Sequence, residues 1–326
     1  MAPCGKSSVW QLVVCGFFFF SVLLALLLAA GFSYLLCKKS PYVNEGEIGV
    51  VISKSGDSSV TKVLRGLCVS EFPLVSGIAL RLFRWRGHSV KLGEYALPNH
   101  VSLIDCLKIF SSHQSIKRKF TIPEGFSVQQ VIDRLQANKY LLGDIIEIPE
   151  EGSLMPETYV FKYPTTRQQI ITFAKNAMTK FMNKYWESYP KNQQLKTKQD
   201  VITLASIVEK ETHKERNKVA GVYMNRLKNK MRLQADPTVV YALTRGRPLN
   251  RKLRTSDMRL NIPYNTYRKA GLPPTPICNP GKSSILAVLN PEKTDAMFFL
   301  HSESPYGMFA KTFAEHNKNR QATSLR

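Results

Sequence analysis

Residues Leu204–Thr212 read LASIVEKET and place two glutamates at the end of an apolar run. The spacing of one buried helical face is met by Val201, Leu204, Ala205 and Val208. Three residues further along that face lies Glu211, which also follows Ile207 by four positions. Glu209 comes directly after Val208, about 100° around the helix, and is expected to face water. The pattern therefore predicts a helix with the carboxylate of Glu211 on its apolar side.

Segments on both sides of this stretch have the same helical periodicity. Apolar residues at helical spacing predict one helix from Thr166 to Trp186 and another from Asn217 to Lys228. A further helix is expected after the turn at Asp236-Pro237. The segment Leu260–Gly281 reads LNIPYNTYRKAGLPPTPICNPG, and its prolines exclude a continuous helix or central strand. We therefore expect a mainly helical domain whose long loop shapes a site.

The preceding region, residues 42–140, has a different pattern of short strand–helix units. Phe120–Asn138 contains an apolar strand, a Pro-Glu-Gly turn and a helix with one apolar face. Tyr95–His113 repeats this plan, and Val50–Val69 is a weaker third copy. Such repeats are typical of a modular binding region, although similar units also recur by chance in α+β folds. Between the regions, Glu150–Pro164 is expected to form an ordered loop or a short strand.

The amino-terminal part of the chain is apolar, with no charged residue from Ser7 to Cys37. This run exceeds the roughly 20 apolar residues that cross a bilayer, whereas the core of a cleaved signal peptide usually has only about 7–15. Its length favours an uncleaved transmembrane anchor over residues 10–37, preceded by a tail at residues 1–9. Lysines flank both ends of the run, so the positive-inside rule does not give its orientation.

The formal net charge of +22 and the cysteine pattern limit the classes of partner. The lysines and arginines are spread along the chain and form no recognisable nucleic-acid motif. A basic chain also suits work beside anionic lipid or on an acidic polymer, or it reflects a generally basic proteome. Only Cys68, Cys106 and Cys278 lie outside the apolar run and its flanks, and no Cys/His cluster has metal-ligand spacing. We therefore expect neither a metal nor a nucleic-acid partner.

Five motifs occur in one order towards the carboxyl terminus: IVEKET, RLQADPT, PYNTY, GLPPTPICNPG and FAEHN. Close variants occur in the same order in the MltG (YceG-like) endolytic murein transglycosylases, and the chain resembles that family. The resemblance is strong from Gly152 to Asn317 and looser over the strand–helix units. Over the apolar run it is limited to the presence of such a segment. It implies an α+β chain with an anchor at residues 10–37, a LysM-like region at residues 42–140 and a lysozyme-like, mainly helical catalytic domain at residues 141–326.

The resemblance also implies a function. The family cleaves the β-1,4 bond between N-acetylmuramic acid and N-acetylglucosamine in peptidoglycan without water, which leaves a 1,6-anhydro end. It implies a single-pass protein of the cell inner membrane whose catalytic domain lies in the periplasm and limits the length of nascent glycan strands. The implied partners are glycan strands, the membrane and peptidoglycan synthases, and no cofactor is implied.

One catalytic residue follows from the resemblance and from the helical pattern. In lysozyme-like transglycosylases a glutamate followed by a small hydroxyl residue faces the cleft, which fits Glu211-Thr212 and not Glu209-Lys210. A carboxyl on an apolar face is desolvated, which favours the neutral form that a general acid needs. A glutamate at a helix end can instead extend along the surface or pair with a lysine.

Several other residues are candidates for substrate contacts. Gln234 and Asn265 are suited to hydrogen bonding with sugar amides or hydroxyls, while Tyr159 and Tyr267 either stack on sugar rings or fill core. Asn317, with His316, belongs to the FAEHN motif and has no assigned chemical role. Asp236 precedes a proline at a helix start, so an N-cap is its simpler interpretation.

Two alternatives to the transglycosylase stay open at this point. A non-catalytic, membrane-anchored wall-binding scaffold could share the fold, although a scaffold does not need a carboxyl on an apolar helix face. A hydrolase would need a second carboxylate beside Glu211, and Asp236 is the candidate. Glu209 cannot form that pair, because residues two positions apart on a helix point to different sides.

Overall fold

Helices and short strands alternate along the chain in a computed structural model, which describes residues 7–39, 48–53, 56–67, 69, 72–189, 194–212, 214–300 and 307–324. The chain forms two units. The first contains Met1–Arg118 and Lys162–Pro164, and the second contains Lys119–Phe161 and Thr165–Arg326. The mixed helix and strand content agrees with the α+β class expected from the sequence.

The first unit is built around a two-stranded antiparallel sheet. Its elements are α1 (Ser7–Cys37), β1 (Ile48–Ile52), α2 (Asp57–Gly66), α3 (Pro73–Trp85), β2 (Gly93–Leu97) and α4 (Leu103–Ser111). The strands pair from Ile48 opposite Leu97 to Ile52 opposite Gly93. Its core is formed by apolar side chains from both strands and from α2, α3 and α4, including Leu64, Leu80, Tyr95, Leu107 and Phe110.

Helix α1 contains the one candidate membrane span among the described residues, Trp10–Cys37, which has 28 residues and is not buried. Its length and composition allow it to cross a bilayer, and a signal sequence near the amino terminus passes the same test. Phe32 and Leu36, near its carboxyl end, pack against the core of the first unit.

The second unit is mainly helical. Its elements are β3 (Arg118–Thr121, continuing from the first unit), α5 (Val128–Gln136), β4 (Thr158–Phe161), α6 (Arg167–Trp186), α7 (Lys198–Glu211), α8 (Arg216–Lys228), α9 (Asp236–Thr244), α10 (Thr255–Met258), α11 (Lys282–Leu289), β5 (Phe298–Leu300), β6 (Met308–Ala310) and α12 (Phe313–Ser324). Strand β3 pairs with β4, and β5 pairs antiparallel with β6. The predicted helices from Thr166, from Asn217 and after Asp236-Pro237 are confirmed within a residue or two at their starts.

The three strand–helix units are present, as β1–α2, β2–α4 and β3–α5. Helix α3, which the sequence pattern did not predict, lies between the first two. The two units of the fold divide after Arg118, so β3–α5 lies mostly in the second unit. Its side chains Phe120, Val131 and Leu135 pack there with Ile170 of α6.

Helix α7 is the centre of the second unit. Its start is fixed by Thr197, whose hydroxyl accepts a hydrogen bond from the backbone NH of Asp200 at 3.1 Å. Every residue from Val201 to Glu209 is buried, so the helix is enclosed on all sides rather than along one stripe. Helices α8, α9 and α11 contact it. A helix of this kind needs internal partners for each polar side chain that it carries.

The Pro-rich segment that follows α10 is an ordered support for α7. The backbone NH of Ile277 donates to Oγ of Ser206 at 3.0 Å, and the Cys278 thiol donates to the Ser206 carbonyl at 3.4 Å. Burial raises the pKa of the Cys278 thiol well above its ordinary value. Asn279 accepts from the backbone NH of Leu154 at 2.9 Å. Cys278 is therefore an internal packing residue, and its side chain does not reach a substrate.

Candidate active site

An open cleft of about 450 Å³ lies at the carboxyl end of α7. Acidic, basic and aromatic side chains line it together: Glu211, Arg226, Leu233, Gln234, Asp236, Tyr267, Phe298, Phe299, Leu300, Phe313, His316 and Arg320. The cleft thus brings four of the seven residues proposed from sequence, Glu211, Gln234, Asp236 and Tyr267, to one place. Its polar groups and flat aromatic walls suit a sugar chain.

Glu211 is the last residue of α7 and is half-buried. Its Oε1 accepts a hydrogen bond from the phenol of Tyr223 on α8 at 3.1 Å. Tyr223 is 1% exposed, and burial, with the Glu211 charge as the next cause, raises its pKa well above the ordinary value. The phenol therefore stays protonated and donates at neutral pH. The ring is held by an edge-on contact with Phe299, with centroids 5.6 Å apart.

The expectation that Glu209 faces water is wrong. Its side chain is 1% exposed. Its Oε2 accepts hydrogen bonds from the backbone NH of Gly281 at 2.9 Å and from the Ser284 hydroxyl at 2.8 Å. Its Oε1 pairs with Arg216 at 3.2 Å. A Cβ at Gly281 would collide with the carboxylate of Glu124, so this position favours glycine. Glu209 is a structural residue that joins α7, α8 and α11.

The environment of Glu211 also differs from the expectation. The apolar stripe predicted a desolvated carboxyl, whereas Glu211 is half-exposed and lines a polar cleft. This difference arises because α7 ends at Glu211 and the chain leaves the core there. A half-exposed carboxyl at the end of a buried helix is accessible to a ligand and is held at its base by Tyr223.

Arg226 and a group of aromatic rings form the opposite part of the cleft. The guanidinium of Arg226 donates to the carbonyls of Met297 and Leu233, both at 2.6 Å, and lies 5.3 Å from the Phe298 ring centre. Burial lowers the pKa of Arg226 from its ordinary value. His316 stacks on Phe298 with ring centres 5.4 Å apart.

His316 also lines the cleft. Burial, followed by the charges of Arg320 and Arg226, lowers its pKa below the ordinary 6.5. Within the described part of the chain, its buried Nδ1 has no hydrogen-bond partner. The same described residues contain no group of three or more His, Cys, Asp or Glu that could hold a metal ion.

Asp236 and Tyr267 form a second pair in the cleft. The phenol of Tyr267 donates to Oδ1 of Asp236 at 2.5 Å. Burial, and then this hydrogen bond, raise the pKa of Tyr267. The interpretation of Asp236 as an N-cap is wrong, because Ala235 occupies the cap position, Asp236 is the first residue of α9, and no side chain caps the helix. Gln234, with φ +50°, exposes its side chain to the cleft.

The remaining three candidates lie elsewhere. Tyr159 packs against the core of the second unit, and its hydroxyl donates to the Met155 carbonyl at 2.6 Å. Asn265 is fully buried, with its amide donating to the Met258 and Leu260 carbonyls at 2.9 and 2.7 Å. Asn317 is half-buried on α12 and is not among the residues that line the cleft. In this structure Asn265 shapes the loop that carries Tyr267 and does not face a ligand.

Sequence reasoning missed most of the cleft wall. Tyr223 lies behind the cleft lining, on the apolar stripe of the predicted helix Asn217–Lys228, and its hydroxyl carried no signal. Arg226 falls next to that stripe, and an arginine on a helix flank gives no indication of burial. Phe298 and Arg320 come from elements without a clear periodic pattern. The FAEHN motif pointed to His316 and Asn317 of α12 without a chemical role, and of these two His316 lines the cleft.

Comparison with known proteins identifies the family to which the chain is similar. The YceG-like family model matches residues 56–322. An endolytic murein transglycosylase of Bacillus subtilis is 45% identical over 181 residues, which cover 54% of this chain and 48% of the relative. An endolytic murein transglycosylase of Streptococcus pneumoniae is 26% identical over 353 aligned residues, covering 92% of this chain and 63% of the relative.

A solved structure of a YceG-like protein is also similar to this chain. The crystal structure of a YceG-like protein from Listeria monocytogenes has a TM-score of 0.55 at 30% identity, covering 84% of this chain and 99% of that one. This chain spans about half the length of the Bacillus relative and under two thirds of the Streptococcus relative. The family match includes every residue that lines the cleft. The chain therefore belongs to the YceG-like family.

Proposed function

We propose that the chain is an endolytic lytic transglycosylase of peptidoglycan with Glu211 as its catalytic residue. The observation that carries the proposal is the half-exposed carboxyl of Glu211, held by a buried phenol in an open cleft with aromatic and polar walls. The relatives named endolytic murein transglycosylase support the substrate class. The bond cleaved is the β-1,4 link between N-acetylmuramic acid and N-acetylglucosamine.

One carboxyl is sufficient for this reaction. The acid form of Glu211 gives its proton to the glycosidic oxygen as the bond from that oxygen to the anomeric carbon breaks. The 6-hydroxyl oxygen of the same muramyl sugar then bonds to the anomeric carbon, and Glu211 takes the hydroxyl proton. The products are a 1,6-anhydro end and a new 4-hydroxyl end, and Glu211 returns to its starting form. Tyr223 orients the carboxyl through both steps.

The surroundings of Glu211 suit an internal stretch of glycan. A second depression of about 400 Å³ adjoins the cleft at Asp236, and Lys210, Tyr241, Arg247 and Leu249 contribute to its walls. Two open depressions that share one residue give a strand room on both sides of the cleaved bond, which endolytic cleavage requires. Gln234, Asp236, Tyr267 and His316 are the polar groups available to sugar hydroxyls and acetamido groups.

The location and the accessory region belong to the same proposal. Helix α1 is a single-pass anchor in the cell inner membrane, and the catalytic unit lies in the periplasm, where peptidoglycan is assembled. The strand–helix units act as a LysM-like glycan-binding region, and the helical unit has a lysozyme-like catalytic role. Cleavage beside the membrane limits the length of nascent strands and implies contact with peptidoglycan synthases.

A hydrolase is the second candidate, and one observation favours it. Asp236 is exposed in the same cleft as Glu211, so two carboxylates face one ligand site. A hydrolase would use Asp236 to activate water or to attack the sugar. A non-catalytic scaffold is the third possibility and predicts intact strands.

Mass spectrometry of the products separates these functions. Purified glycan strands are incubated with the full chain in detergent, and the fragments are weighed. A transglycosylase gives fragments that are one water lighter than hydrolysis products, because they end in anhydro sugars. Reducing ends would establish the hydrolase, and uncut strands with a folded protein would establish the scaffold.

A further inference from the structure

Helix α3 has apolar side chains on two opposite faces. Ala79, Leu80 and Phe83 are buried in the core of the first unit. On the other side a solvent-facing stripe is formed by Leu74, Ile78, Leu82 and Trp85, which are 79%, 47%, 46% and 84% exposed. These four recur at i, i+4, i+8 and i+11, so they lie on one line along the helix. A helix that is apolar on both faces is typical of one that is covered on both sides.

The position of α3 indicates what covers the stripe. Helix α3 contacts α1, and Phe32 and Leu36 of α1 pack against the same cluster that holds Ala79 and Leu80. The exposed stripe therefore belongs to a helix that touches the carboxyl end of the long apolar helix. If α1 crosses the bilayer, its carboxyl end is at the membrane surface, and α3 is there with it.

The charge around the stripe fits a lipid surface. The segment Phe72–Gly93 contains Arg81, Arg84, Arg86 and Lys91 and no acidic residue. Arg81 and Arg86 are exposed beside Trp85. Trp and Arg side chains are favoured at the boundary between lipid headgroups and acyl chains, and basic residues attract anionic lipids. Arg84 pairs with Asp57 of α2, and Glu71 and Glu94 flank the segment in sequence, so the positive charge beside the stripe comes from Arg81 and Arg86.

We propose that α3 is an interfacial membrane helix, with the stripe Leu74, Ile78, Leu82 and Trp85 inserted into the surface of the bilayer that α1 crosses. Arg81 and Arg86 contact anionic headgroups. This second attachment holds the first unit against the membrane, where α1 alone would leave it on a single tether. The inference rests on the proposed membrane location of α1 and is independent of the proposed catalytic activity.

Fluorescence quenching in a bilayer tests this placement. The full chain is reconstituted into vesicles of phosphatidylcholine and phosphatidylglycerol with brominated acyl chains, which quench tryptophans that enter the lipid. The difference between the chain and its Trp85→Phe variant isolates Trp85 from Trp10 and Trp186. We expect Trp85 to lose most of its emission, and to lose less when phosphatidylglycerol is omitted.

Paired substitutions give the control. Leu74→Glu with Ile78→Glu should restore most of the Trp85 emission, whereas Ile146→Glu, at a position 88% exposed in the second unit, should leave the quenching unchanged. Alkaline extraction of the vesicles reports separately whether α1 is inserted. Unquenched Trp85 in a chain that resists extraction would overturn the proposal. If Trp85 became shielded from water as the amount of protein per vesicle rose, but was not quenched by the brominated lipid, the stripe would be assigned to contact with a second copy of the chain.

Discussion

The hydroxyl of Tyr223 donates a 3.1 Å hydrogen bond to Oε1 of Glu211, and the two residues lie on consecutive helices, α8 and α7. Tyr223 is fixed inside the core while Glu211 faces the cleft. This contact joins the packed interior to the reacting group. Because one oxygen of the Glu211 carboxyl is already held by this hydrogen bond, the side chain loses little further conformational freedom when a substrate binds.

Tyr223→Phe should lower kcat about 10-fold with little change in KM. The substitution keeps the ring and its contact with Phe299 and removes only the donor to Glu211, a hydrogen bond worth at most about 1.5 kcal/mol, which corresponds to about 10-fold in rate. Tyr264→Phe is the matched control, because the Tyr264 hydroxyl bonds to Thr275 outside the cleft lining. Steady-state kinetics of both variants measures the effect. Equal losses in the two variants would assign the change to packing.

Glu211→Gln should abolish cleavage, with at least a ~10² loss in kcat, and leave stability nearly unchanged. Glutamine keeps the shape and the acceptor for Tyr223 but has no proton to transfer. Because Glu211 is half-exposed, the melting temperature of the Glu211→Gln variant should stay close to that of the unchanged chain. Product mass spectrometry and thermal unfolding are the two measurements.

Glu209→Gln should have the opposite profile. It breaks a buried pair with Arg216 and weakens the contacts to Gly281 and Ser284, which costs about 3 kcal/mol. The melting temperature should fall by roughly 6–12 °C, while the folded fraction keeps most of its activity. A stable, inactive Glu209→Gln variant together with an active Glu211→Gln variant would mean that the catalytic assignment is reversed.

The difference between these two glutamates shows how far the sequence could lead. The spacing of Val201, Leu204 and Val208 correctly predicted a helix, and the family motif pointed to Glu211. A single stripe could not predict that α7 is buried on every side, because Thr203 and Ser206 read as a polar face. In the structure their hydroxyls bond to backbone carbonyls of the same helix at 2.8 and 2.7 Å.

The partners of Glu209 could not be predicted from a local sequence pattern either. Arg216 lies in the next helix, and Ser284 is 75 residues away in the chain. Periodicity describes neighbours along one element, whereas these contacts depend on how three helices pack. The uncharged run Val201–Val208 was the one sequence feature that indicated a fully buried helix, because eight residues without a charge are unusual in a helix with a solvent-exposed face.

Asn265→Ala should destabilise the chain by about 2–4 kcal/mol. Its buried amide donates to two backbone carbonyls, of Met258 and Leu260, and both would be left without that partner. Asn317→Ala, on half-buried α12, is the control and should change stability by less than ~0.5 kcal/mol. Denaturant unfolding of the two variants measures this. A raised KM for Asn265→Ala with normal stability would instead restore the sugar-contact hypothesis.

His316 should titrate below 6.5 in the folded chain. Burial is the first cause and the charge of Arg320 the second, so Arg320→Gln should raise the pKa of His316 part of the way back. Nuclear magnetic resonance of labelled histidines measures the value, and His316→Gln assigns the signal. A pKa above 6.5 would mean that the imidazole has an acidic partner rather than two cations.

The lowered pKa of His316 also fixes the sign of a stability change. Well above pH 6.5 the imidazole is neutral in both the folded and the unfolded chain, so it contributes nothing to the pH dependence. As the pH falls through 6.5, the unfolded chain binds the proton first, and the free energy of unfolding decreases until the folded form is also protonated. The His316→Gln variant should lack this decrease, and unfolding at a series of acidic pH values measures it.

Asp236→Asn separates the one-carboxyl mechanism from the hydrolase. Asparagine can still accept the 2.5 Å hydrogen bond from Tyr267 and loses only the charge, while the helix keeps its start because Asp236 is not a cap. We expect kcat/KM to fall less than ~10-fold, mainly through KM, with anhydro ends still produced. A catalytic partner would instead lose at least ~10².

The pH profile of the same variant completes this test. With Glu211 as the only catalytic carboxyl, no second carboxylate has to be ionised before the reaction starts. The acidic limb should therefore be the same in the unchanged chain and in Asp236→Asn, since folding or substrate charge sets it. In a hydrolase the acidic limb reports the ionised partner, and Asp236→Asn would remove both that limb and the activity.

The measurement is kcat/KM from mild acid to mild alkali. Tyr267→Phe is the control, because it leaves Asp236 charged but removes its hydrogen-bond donor. The comparison distinguishes the loss of a charge from the loss of a hydrogen bond. Loss of activity in Asp236→Asn alone, in a folded protein, would make Asp236 a catalytic residue and the reaction a hydrolysis.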